Sequence, residues 1–163
     1  MLNIVLIEPE IPPNTGNIAR LCLATGTRLH LVGPLGFSLD EKSLRRAGMD
    51  YWVKCDIVVW ESFQDVQASD PRAQFFYLTT KAGRSFWDAR YQHGDYLVFG
   101  RETRGLPESL LAENTENCLK IPMSGQARSL NLATSAGIVL YEALRQVRLN
   151  PTEPTPPAPE LTL

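Results

Sequence analysis

Three short segments of this 163-residue chain hold residue types that suit ligand binding. In the first, residues 12–20 (PPNTGNIAR), two prolines and an Asn-Thr-Gly turn lead into a helix N-terminus, where anions are favoured. Asn14 offers an amide and Arg20 a guanidinium. Their separation, about one and two-thirds helical turns, does not by itself bring them together, so a capped helix with a surface arginine also accounts for the segment. The second, residues 99–107 (FGRETRGLP), follows an apolar YLV run. Gly100 and Gly105 free the backbone to approach a ligand, and Glu102 can brace the loop or a basic neighbour by charge-assisted bonds. A charged surface turn is the competing reading. In the third, residues 120–137 (KIPMSGQARSLNLATSAG), a strand ends at Pro122 and a helix is expected from Ser129, with Ser129 as its N-cap. Asn131 then falls in the first turn, where asparagine is a poor helix former and its amide is available to a substrate hydroxyl.

Other chemistries lack their actors. The glycine loop matches neither GxGxxG nor GxxxxGK[ST], so nucleoside triphosphate chemistry is not expected. His30 and His93 lie in separate segments without acids at useful spacing, which argues against a metal site or a Ser-His-Asp triad. The 3 cysteines, Cys22, Cys55 and Cys118, are isolated from one another and read as buried thiols in a reducing compartment. A formal net charge of −2 supplies no bulk field for nucleic acid, although bases cluster locally at Arg101 and Arg104 and at Arg145 and Arg148. The opening MLNIVLIEPE has no basic flank and reads as a first strand, not a signal peptide. No apolar run approaches the ~20 residues that span a bilayer. The expectation is a soluble, cytoplasmic protein with no membrane partner and no metal.

The elements that must position these segments follow from periodicity. Apolar strand-like runs at 2–7, 28–32, 75–79, 96–99 and 119–123 alternate with helical signals, which predicts an α/β domain with a mostly parallel sheet. Asn14 or Thr15 is expected to cap a helix that Gly26 ends, Asp40 to cap a helix in EKSLRRAG, and 61–68 to be helical; 51–60 is open between strand and connection. From 129 to 149, Ala133, Gly137, Leu140, Leu144 and Val147 keep one helix face apolar or small. Gly137 in mid-helix costs roughly 1 kcal/mol relative to alanine, which a closely approaching backbone would explain. A single domain over 1–149 is expected, followed by a proline-rich, disordered tail over 150–163. The loops at 99–107 and 121–131 then lie at the carboxyl ends of parallel strands, where open α/β sheets bind ligands.

Taken in order, NTGNIAR, FGRETRGLP and IPM…RSLNLATSAGIVLYE resemble motifs one to three of the SpoU branch of the SPOUT methyltransferases, over residues 1–149. MLNIVLIEPEIPPNTGNIARLC, LRRAGMDY and GDYLVFGRETRGLP are most similar to members that methylate the wobble position of tRNA. The resemblance implies a SPOUT fold with a C-terminal trefoil knot, working as a homodimer through the helices at 14–24 and 129–149. It implies S-adenosylmethionine as cofactor, held by Leu78, Thr79, Gly100, Gly105, Ile121, Met123, Ser129 and Leu130. It further implies 2′-O-methylation of the pyrimidine at position 34 of tRNA, in leucine isoacceptors. Ribosomal RNA, another tRNA position and a non-catalytic RNA-binding module are the alternatives. Catalytic roles fall on Arg20, Asn14, Glu102 and Asn131. The family pattern makes Arg20 the base, yet an arginine side chain is effectively always protonated, and a neutral guanidine at pH 7 costs about 8 kcal/mol. Arg20 is therefore read as holding a phosphate and stabilising a developing alkoxide, with Asn14 and Asn131 orienting the ribose and Glu102 fixing the cofactor loop or Arg20.

Overall fold

Five residues, Asn3–Ile7, all apolar but the asparagine, make the central strand β1, buried along its whole length. The computed structural model describes residues 1–38 and 52–149; the helix expected in EKSLRRAG and the tail at 150–163 lie outside the described residues. Six further strands are β2 (Arg28–Val32), β3 (Ile57–Trp60), β4 (Phe75–Leu78), β5 (Arg84–Ser85), β6 (Tyr96–Phe99) and β7 (Cys118–Lys120). They form one sheet in the order β3-β2-β1-β6-β4-β7-β5. Every pairing in it is parallel, with Val5 opposite His30 on one side and Val98 on the other. The open segment at 51–60 thus ends in a true edge strand. β7 pairs with β4 and with β5, so a late strand occupies the slot between two earlier, consecutive ones.

Alternation along the strands sends side chains to two cores. Ile4, Leu6, Leu29, Leu31, Leu97 and Phe99 pack beneath the helices α1 (Pro12–Thr25) and α4 (Leu132–Leu149), against Ile18, Cys22, Ala136 and Leu140. Val5, Ile7, Tyr77 and Val98 face Phe63 and Val66 of α2 (Phe63–Ser69) and Leu106, which precedes α3 (Glu108–Glu113). α2 begins at a capping box between Ser62 and Asp65.

Two helix starts differ from expectation. α1 begins at Pro12 with Ile11 as N-cap, because proline's missing N–H and fixed φ suit the first turn. Asn14 and Thr15 are therefore buried inside that turn instead of capping it. Gly26 closes the helix at φ 65°, its N–H donating to the Cys22 carbonyl. α4 begins at Leu132 and not at Ser129, since the Asn131 carboxamide oxygen accepts from the N–H groups of Ala133 (2.9 Å) and Thr134 (3.2 Å). An asparagine that looked misplaced in a helix is its cap. Gly137 faces the side chain of Leu21 on α1, and among the described residues no backbone crowds it.

The cysteines are free thiols, Cys22 and Cys118 buried and Cys55 partly so. His30 is buried between Tyr96 and Trp60; the Trp60 indole donates to Nδ1 at 3.0 Å, which leaves Nε2 to donate to Asn3 Oδ1 at 3.2 Å. Burial lowers its pKa to about 4. His93 is exposed and accepts from the chain's amino terminus. Among the described residues no helix is long and apolar enough to cross a membrane.

Candidate functional site

The ends of β4, β6 and β7, the first turn of α1 and the segment entering α4 enclose a cleft of about 450 Å³. Leu78, Leu106, Leu119, Ile121 and Met123 give it an apolar lining, and Thr79, Ser129 and Asn131 add polar groups. That size and mixture suit one small organic molecule. Leu78, Thr79, Gly100, Gly105, Ile121, Met123, Ser129 and Leu130 all line this single cleft, as do Asn14, Glu102 and Asn131. Arg20 is not brought there. It stands exposed on α1, six residues past Asn14 and outside the lining.

The loop after β6 is built by its glycines. A Cβ on Gly100 would collide with the backbone of Gly105 and Leu106, so any other residue here must displace the loop. The close approach that the glycine permits is thus first of all to the loop itself. Gly105 turns at φ 68°, and Arg101 and Gly105 exchange backbone hydrogen bonds at 3.2 and 2.8 Å. The result is a closed five-residue loop whose tip carries Glu102, Thr103 and Arg104.

Three ties bind this loop to the turn between β1 and α1. Glu102 accepts from the backbone N–H groups of Glu10 (2.8 Å) and Ile11 (3.2 Å), and from the Asn14 amide (3.1 Å). Glu10 accepts from the N–H and hydroxyl of Thr103. Arg101 pairs with Glu8, a non-glycine residue at φ 51° where the chain turns off β1. The chain of bonds continues from Asn14: its oxygen accepts from the Asn131 amide at 2.9 Å, and Asn131 in turn caps α4. A directed line of hydrogen bonds therefore runs from the glycine loop through the start of α1 to the start of α4. It fixes the amide orientation of both asparagines and leaves each a second N–H for a ligand.

Several lining residues were given no site role from the sequence: Lys81 and Thr103, and Arg101 and Arg104, which were noted only as a local cluster of bases. Lys81 donates to Glu108 at 2.5 Å, a bond that holds the exposed Glu108 carboxyl below its ordinary value. The signal for the other three was their place inside FGRETRGLP, but nothing in that string shows which charges meet the opposite turn.

The model of the SpoU rRNA Methylase family matches residues 1–141. A tRNA (cytidine(34)-2′-O)-methyltransferase of Methylovorus glucosotrophus is 52% identical, covering 90% of this chain and 96% of its own. A solved structure concerned with the 2-OH methylation of C/U34 on tRNA is 46% identical, with a TM-score of 0.85 over 92% of this chain and 98% of that one. The SpoU methyltransferase AviRb from Streptomyces viridochromogenes, solved in complex with the cofactor AdoMet, is 26% identical, with a TM-score of 0.77 over 92% of this chain and 62% of that one.

Proposed function

The chain belongs to the SpoU methylase family, and on that footing we propose that it methylates the ribose 2′-hydroxyl of nucleotide 34 of tRNA with S-adenosylmethionine. The observation that carries this reading is the meeting, in one cleft, of an apolar cofactor-sized lining with the two oriented asparagines. The apolar residues and loop backbone fit a nucleoside with a thioether-like chain, which Leu78, Gly100, Ile121, Met123 and Leu130 would hold. When bound, S-adenosylmethionine supplies a methyl group already activated on a sulfonium centre.

The protein then has to align and to manage one proton. Asn14 and Asn131 present their remaining N–H groups to the target ribose, held rigid by Glu102 and by the α4 cap. Glu102 acts as a positioning residue, since its oxygens are taken up by α1. Arg20 binds a substrate phosphate and lowers the energy of the developing alkoxide.

Arg20 requires a second copy of the chain. Leu23 on α1 is 40% exposed, and Ile138 and Tyr141 on α4 are 38% and 59% exposed. These apolar side chains, with Arg20 three residues before Leu23, support a homodimer through the outward faces of α1 and α4 that gathers Arg20 into a composite site. The slot that β7 fills between β4 and β5 supports a trefoil knot over the cleft-forming loops. We place the protein in the cytoplasm, on leucine tRNAs, as one domain over 1–149. Incubation with labelled S-adenosylmethionine and tRNA, followed by digestion to nucleosides, should yield 2′-O-methylcytidine or a 2′-O-methyluridine derivative. Label in base-methylated nucleosides would refute the reading.

A further inference from the structure

We propose that Arg104 is a phosphate contact for the RNA at the mouth of the cleft, an inference that rests on the methyl-transfer reading above. Lys81, Arg101, Glu102 and Arg104 are the charged side chains that line the cleft. Lys81 is bonded to Glu108, Arg101 to Glu8, and Glu102 to the start of α1. Among the described residues Arg104 has no such partner, and it is exposed.

Its backbone, by contrast, is fixed. On one side Thr103 is pinned through its N–H and hydroxyl to Glu10; on the other Gly105 is bonded to Arg101 at 2.8 Å. A planar guanidinium with uncommitted donors on a rigid tip is prepared to pair bidentately with two oxygens of one anion, such as the non-bridging oxygens of a phosphodiester. The net charge of −2 means that the whole molecule does not draw RNA in, so phosphate recognition has to come from individual cations at the site. A target ribose within a chain carries a phosphodiester on each side, and the apolar interior of the cleft leaves those charges at its rim. The carboxylate of the cofactor is the competing anion, and the test separates the two.

Arg104→Ala and Arg104→Lys are assayed as full-length protein for tRNA methylation, for tRNA affinity between about 50 and 200 mM salt, and for S-adenosylmethionine affinity by calorimetry. In Arg104→Ala, KM for tRNA is expected to rise about tenfold with kcat within about twofold, and the slope of log K against log salt to fall by about 0.7, one phosphate on single-stranded RNA. Arg104→Lys should restore the salt slope but only part of the affinity, since a point charge lacks the guanidinium fork. Cofactor affinity should stay unchanged in both. Unaltered KM and salt slope would overturn the proposal, as would weakened cofactor binding with tRNA affinity intact. A wild-type protein that binds S-adenosylmethionine but neither binds nor methylates tRNA would instead remove the reading beneath it.

Discussion

Glu102→Gln changes a carboxylate to an amide of the same size at the hinge between the glycine loop and α1. The carboxylate accepts three N–H donors, at 2.8, 3.2 and 3.1 Å. Glutamine has a single acceptor oxygen, so at least one donor loses its partner and faces an NH2 group. Hydrogen bonds to a charged group contribute about 1.5–3 kcal/mol each when buried. For these partly buried ones the expected net loss is about 2–3 kcal/mol. In a chain of this size, that lowers Tm by roughly 4–12 °C. The second consequence is at the site. Asn14 loses the acceptor that orients its amide, and a displacement of ~1 Å at a reacting centre costs on the order of 100-fold in rate. Calorimetric melting and steady-state methyl transfer read the two effects on the same sample. A variant with wild-type Tm and wild-type kcat/KM would refute the assignment of Glu102 as the anchor of the loop.

Gly100→Ala should leave a folded protein whose S-adenosylmethionine affinity falls at least about tenfold, since the new Cβ displaces the Gly105–Leu106 backbone; titration calorimetry measures it. Burial raises Asp95 to about 6, so its folded form takes up a proton first and stability from this group grows as pH falls from about 6 towards 4. His30, lowered to about 4 by burial, does the reverse: stability is lost as pH falls from about 6.5 to about 4. The two oppose each other in one window. Asp95→Asn should therefore gain stability at pH 7.5, about 2 kcal/mol after allowance for solvent screening, and little at pH 4, in paired thermal melts. If the proposed homodimer forms through α4, Ile138→Asp should leave a folded protein that sediments as a monomer and has lost methyl transfer, because an exposed apolar side chain on α4 becomes a charge.

The parallel sheet and the cleft were legible because the central strands are short apolar runs and each ligand loop follows one directly, whereas β5 (Arg84–Ser85) is two polar residues and leaves no such signal. FGRETRGLP showed that a constrained loop was needed, and the structure adds that Gly100 is required by the loop's own backbone. The start of α4 was misread because Ser129 and Asn131 are both good caps, and sequence alone does not show which one the backbone turns at. The role of Glu102 was open because its partners, Glu10, Ile11 and Asn14, are some ninety residues away in the chain. Contacts across such a distance leave no periodic trace. Arg20 was grouped with the site through the family resemblance of its segment, yet its position on α1 carries it outside the cleft.

Two tRNAs that differ only at nucleotide 34, one with a cytidine ribose and one with a 2′-deoxycytidine, test the reaction most directly. Both present the same bases and phosphates, so the phosphate contacts that carry most of the affinity are kept while the acceptor oxygen is removed. Methyl transfer is expected to the first and not to the second, with comparable affinity for the two. Undiminished transfer to the deoxy substrate would show that the methyl group goes elsewhere and that the 2′-hydroxyl of nucleotide 34 is not the acceptor.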